Sequence, residues 1–194
     1  MQQIIEDRIC PARKIKVLHN GSGNGVDAEV RFNPANLHAD TREKIRSQYS
    51  VPRDAEVIGS IGRIVRDKGM IELAAAWQKL KSAYTNLHWL VVGSFETEDP
   101  IPYEVRQLLE TDERIHLTGY VDKEFMPDVL SAIDVLAFPS YREGFPNTVL
   151  ETTAMSVPTV AARVTGSVDA VVDGVTGTLV SVRDADALAQ ALRD

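Results

Sequence analysis

Residues 134–159 read DVLAFPSYREGFPNTVLETTAMSVPT. The apolar run Val135, Leu136, Ala137, Phe138 stops at Pro139, a turn-rich loop follows, and a helical pattern (Thr148, Val149, Leu150, then 151–155) opens just after Pro146. The order is strand, loop, helix. In such a unit the loop leaves the carboxyl end of a strand. The first-turn amides of the helix have no intrahelical acceptors, so they can receive an anion such as a phosphate. Glu143 stands before Gly144, and Glu151 follows eight residues later. Two carboxylates there can accept from the hydroxyls of a polyhydroxylated ligand. Each also has an ordinary reading. A glutamate in a first helical turn suits the positive end of the helix dipole, and one before Gly-Phe-Pro suits a solvated turn.

The same alternation extends in both directions. Residues 57–61 predict a buried strand, 62–69 a loop, and 70–84 a helix whose apolar positions Met70, Leu73, Ala74, Trp77, Leu80 and Tyr84 fall at helical spacing and mark a core face. Further strands are expected at 87–92, 114–118, 157–162 and 177–180. Helices are expected at 40–49, 103–110, 123–132 (interrupted early by Pro127) and 184–192, with a helical turn within 166–172. Arg42, Glu43, Lys44 and Arg46 mark a solvated face on the helix at 40–49. Before it, Ile15 and Val17 suggest a short strand running into Gly21, Gly23 and Gly25, a tight turn or a loop close to a ligand backbone. Residues 1–13 read as a tail or short helix that Pro11 ends.

Strands alternating with helices on short connections imply an α/β, doubly wound parallel sheet of Rossmann-like type. In such sheets ligands bind outside the carboxyl ends of the strands. The loops 62–69, 93–94, 119–121, 140–146 and 162–166 all follow strands and should line one rim. In the first of them Arg63 and Lys68, between Gly62 and Gly69, suit a diphosphate, one as a fork and one as a point charge. By position alone they are equally two solvated cations. Arg66 reads as a bystander neutralised by Asp67.

Composition narrows the function. With 194 residues, 44% hydrophobic and 25% charged, the chain is long enough for one domain with a substantial core. A net charge of -7 argues against nucleic acid as the main ligand. The lone Cys10 cannot form an internal disulfide, and no Cys/His spacing proposes a metal site. No run approaches a membrane span, and the start lacks the apolar core of a signal peptide, so a cytoplasmic location is expected.

KVLHNGSGNGVDAEVRFNP (16–34), GRIVRDKG (62–69) and EGFPNTVLE (143–151), in this order, resemble the retaining glycosyltransferases of the two-domain GT-B architecture, group 4. The resemblance covers 14–193 and lies with the C-terminal, donor-binding domain, one half of that architecture. It implies transfer of a hexose from a nucleotide sugar, UDP- or GDP-linked and preferably UDP-linked, to a hydroxyl acceptor, with no cofactor and no metal. By resemblance Arg63 and Lys68 hold the donor diphosphate, and Glu143 lies by the donor sugar with the backbone of Gly144, Phe145 and Pro146. Asn147 and Thr148 supply helix-start amides to the distal phosphate, Glu151 accepts from the ribose, and the backbone of Tyr120 and Val121 meets the base.

Departures from that family pattern are His19 and Ser156 where glycines are frequent, Thr152 and Thr153 for an Ala-Met pair, and Asp169 for a glutamate. The resemblance further implies a donor domain (14–194) after a linker (1–13). A missing N-terminal acceptor domain and missing closing helices would belong to a longer enzyme. Any membrane contact would then run through the missing domain or a lipid-linked acceptor at the inner face. Two alternatives stay open, a binding module without turnover and a nucleotide-sugar epimerase on the same plan.

Overall fold

The computed structural model describes residues 5–14 and 25–193. The strand expected near Ile15 and Val17, Gly21, Gly23 and His19 lie outside the described residues. Among the described residues six parallel strands form one sheet: β1 (Glu56–Ile61), β2 (Leu87–Val92), β3 (Ile115–Gly119), β4 (Val135–Phe138), β5 (Thr159–Ala162) and β6 (Gly177–Val180). Their order across the sheet is β3-β2-β1-β4-β5-β6. The chain therefore adds strands outward from β1, returns to its other side at β4, and adds outward again. Connecting helices leave β1 and β4 in opposite directions, which opens a crevice between their carboxyl ends.

From residue 25 onward the described α-helices are α1 (Thr41–Gln48), α2 (Met70–Ala83), α3 (Tyr103–Thr111), α4 (Met126–Ser131), α5 (Asn147–Ala154), α6 (Thr165–Ala170) and α7 (Ala185–Arg193). Alternation along the strands shows that both sheet faces are covered. On β2, Trp89 and Val91 pack with Leu73 and Trp77 of α2 and Leu188 of α7, whereas Leu90 and Val92 pack with Val129 and Leu130 of α4. On β4, Ala137 joins the first group, and Leu136 and Phe138 pack with Val149 of α5. The two tryptophans meet at 6.0 Å between ring centroids. Each indole finds an acceptor, Trp89 donating to Ser60 Oγ at 2.8 Å and Trp77 to Asp112 Oδ2 at 3.0 Å.

Several local expectations are corrected. The strand expected from residue 157 begins at Thr159, because Pro158 has no N–H to give the ladder; its carbonyl instead accepts from Leu136 N at 2.9 Å. Pro127 does not interrupt a helix: it is the second residue of α4, where its missing donor costs nothing, and a 3-10 turn, Lys123–Phe125, precedes it. The face of α1 is not solvated throughout. Arg46 is only 2% exposed, and its guanidinium donates to the carbonyls of Ala132, Arg53 and Ala55 and to Asp134 Oδ2. Arg42 joins the same Asp134, so α1 is clamped by charge to the turn before β4. Among the described residues no helix is long and apolar enough to cross a membrane.

Candidate functional site

The loops after β1 and β4 border the crevice and are tied together through their backbones. Gly69 has φ of 71°, and a Cβ there would lie 2.2 Å from the carbonyl oxygen of Pro139. Only glycine allows both that conformation and that approach. Tyr141 N donates to Asp67 O at 2.8 Å, a second tie between the loops. The loops after β1 and β2 are joined likewise: a Cβ on Gly93 would sit 1.9 Å from Gly62 O, and Ile64 N donates to Ser94 O at 2.9 Å. On the far side, a Cβ on Gly166 would meet Gly144 O at 2.4 Å, which seats the start of α6 against the loop before α5.

This frame brings Lys68 to Glu143. Lys68 Nζ lies 2.6 Å from Glu143 Oε1, with side-chain exposures of 22% and 13%, and also stands 5.9 Å above the Phe138 ring. Arg63 and Lys68 line one small cleft with Gly62, Phe138, Pro139 and Ser140. Arg63 also borders a larger pocket of about 300 Å³, with Ile61, Gly93, Glu96, Tyr120 and Val121 on its walls. There its Nη1 is 3.2 Å from Glu96 Oε2. The Tyr120 side chain is 74% exposed at the pocket edge.

Helix α5 starts at Asn147, following Pro146, and no side chain caps it. Its first turn carries no acidic residue. Glu151 is the fifth residue of the helix, so the dipole reading does not account for it. Asn147 and Gly144 are exposed and Pro146 is buried. The Glu151 carboxyl titrates above its ordinary range, because burial disfavours its charge; nearby Arg31 and Lys123 oppose the shift. Among the described residues it accepts no side-chain or backbone hydrogen bond. A half-buried carboxylate without donors is an acceptor ready for a ligand's hydroxyls.

The structure thus joins Lys68 with Glu143, and Arg63 with Tyr120 and Val121. No ion pair or hydrogen bond joins Glu151 to Arg63 or Lys68; its charged neighbours are Arg31 and Lys123. Those two were missed, and only the fold reveals them: the Arg31 guanidinium donates to Lys123 O across 92 residues of chain. The pairing of Arg66 with Asp67 expected from the sequence is not formed. Arg66 donates to Pro100 O at 2.6 Å, whereas Asp67 faces Arg142 at 3.4 Å. Among the described residues no group of three or more His, Cys, Asp or Glu is arranged to hold a metal ion.

The family model described as Glycosyl transferases group 1 matches residues 55–194. A capsular polysaccharide biosynthesis glycosyltransferase, CapM of Staphylococcus aureus, is 33% identical over 190 residues, which cover 98% of this chain and 48% of that protein. A solved glycosyltransferase from Rickettsia africae superposes with a TM-score of 0.85 at 27% identity, over 99% of this chain and 49% of that one. Anabaena Alr3699/HepE, solved in complex with UDP, has the same fold, with a TM-score of 0.80 at 23% identity over 99% of this chain and 50% of that one. The chain spans about half the length of the relatives it matches.

Proposed function

This chain belongs to the group 1 glycosyl transferases, and from that premise we propose that it binds the nucleotide-sugar donor, preferably a UDP-sugar, for hexose transfer to a hydroxyl acceptor with retention at the anomeric carbon. One observation carries the reading. Where the loops after β1 and β4 meet, Lys68 pairs with Glu143, Arg63 and Lys68 line one cleft, and the loop that carries Glu143 runs directly into the uncapped start of α5. The UDP held by Anabaena HepE, a protein of the same fold, supports the nucleotide part.

Departure of a nucleoside diphosphate from a sugar builds negative charge on the distal phosphate and positive charge on the sugar ring. Arg63, Lys68 and the amides of Asn147 and Thr148 supply preorganised positive potential at the leaving oxygens, and such potential lowers a barrier most where water is excluded. In this assignment no bound metal is required at the leaving group. Glu143, paired with Lys68, turns its charge toward the sugar once Lys68 engages phosphate. Glu151 accepts from the ribose hydroxyls, and the backbone of Tyr120 and Val121 borders the base. The acceptor and its binding domain belong to the parent enzyme, which in this reading works in the cytoplasm, at the inner membrane face when the acceptor is lipid-linked.

Calorimetric titration of the 194-residue chain with UDP, GDP and ADP tests the reading. Binding of at least one, lost in the Arg63→Ala, Lys68→Ala double variant, is expected. A folded chain that binds none of them, or a double variant that binds as well as the original, overturns it.

A further inference from the structure

The donor site contains a carboxylate that the transfer reaction does not call for. Glu96 faces Arg63 at 3.2 Å inside the 300 Å³ pocket, with side-chain exposures of 53% for Arg63 and 39% for Glu96. The backbone builds this meeting. Beyond the ends of β1 and β2 the two chains stay paired through a parallel bridge between Ile64 and Phe95. Gly62 N donates to Val92 O and Ile64 N to Ser94 O, both at 2.9 Å. Residues 63 and 96 flank that bridge diagonally on one face, within reach of two long side chains. A negative charge beside a cation assigned to a diphosphate acts against anion binding at that place.

We infer that Glu96 is a positioning residue that competes with the donor diphosphate for Arg63: it holds the guanidinium before the donor arrives, gives it up on binding, and recaptures it as the nucleoside diphosphate leaves. The inference rests on the donor reading above. Its consequence is weaker retention of the product, since a half-exposed partner can exchange without the cost of stranding a buried charge. The guanidinium has five donors in a fork, so it can pass from carboxylate to phosphate without ever being unpaired.

The experiment compares the original chain with Glu96→Gln, Arg63→Ala and the double variant. Each is titrated with UDP, GDP and ADP and with uridine, guanosine and adenosine. Glu96→Gln is expected to tighten the bound nucleoside diphosphate by about twofold to fivefold, the scale of an exposed ion pair. It should leave the nucleosides unchanged and give no gain in the Arg63→Ala background. Equal or weaker diphosphate binding by Glu96→Gln overturns the inference, as does the same gain without Arg63, which would reveal a long-range charge effect alone. Should Glu96→Gln fail to fold, Glu96→Asp, which keeps the charge but withdraws it from the contact, is read in the same way. If the original chain, folded, binds no nucleoside diphosphate, the donor reading fails and takes this inference with it; a flat Glu96→Gln response with normal binding fails the inference alone.

Discussion

Lys68 Nζ and Glu143 Oε1 lie 2.6 Å apart although 75 residues separate them in the chain. The contact ties the loop after β1 to the loop after β4 and neutralises two charges that the donor is proposed to separate. Lys68→Ala should weaken nucleoside diphosphate binding by roughly tenfold to a hundredfold, the scale of one charge-assisted hydrogen bond of about 1.5–3 kcal/mol. It should also lower stability by about 1–3 kcal/mol, because Glu143 is left mostly buried without its partner. Calorimetric titration and thermal unfolding measure the two effects separately.

Glu151 should trade stability against binding. Its folded-state pKa is raised above the ordinary 4.5 by burial. The protonated form therefore favours folding, an advantage present in full below the unfolded value and lost as pH rises through the folded one. Glu151→Gln mimics the protonated form, so it should unfold at a higher temperature than the original chain at pH about 7, the difference vanishing near pH 4. Nucleotide affinity should fall in the same variant. A Tm difference that does not depend on pH would refute the burial argument.

A pair of histidines far from the crevice should govern acid sensitivity. His88 Nδ1 and His116 Nε2 share a hydrogen bond at 2.9 Å, and their rings stack at 5.2 Å. Both pKa values lie below the ordinary 6.5. For His88 the cause is burial and then the neighbouring charges of His116, Arg114 and Arg46, with Asp112 opposing; for His116 it is burial, opposed by the backbone of Tyr49. The unfolded chain thus takes up protons first, so stability present above pH 6.5 declines as pH falls from there toward the folded values. His116→Gln, which keeps a hydrogen-bonding side chain but cannot titrate, should flatten the Tm profile between pH about 7 and 5.

Ser156 should be improvable. It closes α5 with φ of 62°, a left-handed conformation that a side chain makes costly by roughly 1–2 kcal/mol. Ser156→Gly removes that strain but adds freedom to the unfolded chain, so a net gain of about 0.5–1 kcal/mol is expected from chemical denaturation. No change in nucleotide affinity should accompany it.

The framework was legible because its signals are local. The apolar runs ending at Gly or Pro mark β1, β2 and β4, and the spacing of Met70, Leu73, Trp77 and Leu80 marks the buried face of α2. The proposed site was legible to the extent that its residues share short loops. Arg63, Lys68 and Glu143 stand in loops after strands that the sheet sets side by side, and Glu151 stands in the helix that follows the second of those loops. Long-range partners were not legible. Nothing in the helix at 40–49 distinguishes Arg46, buried against Asp134, from Lys44, which reaches only Asp40 on the surface. Glu96 gave no signal either, because its significance comes from the pairing of Ile64 with Phe95 beyond the strand ends. The departure at Ser156, where the family pattern has a glycine, proves to be one of backbone conformation.

The glycine contacts at 69, 93 and 166 leave no room for a methyl group between neighbouring loops. The crevice is accordingly a stiff jig and not a set of independent fingers. Evolution can then retune the appetite of such a site by exchanging what projects from it, as at Tyr120, Arg142 or Glu96, without disturbing the jig. Replacement of any of the three glycines would instead pull the whole fixture out of true.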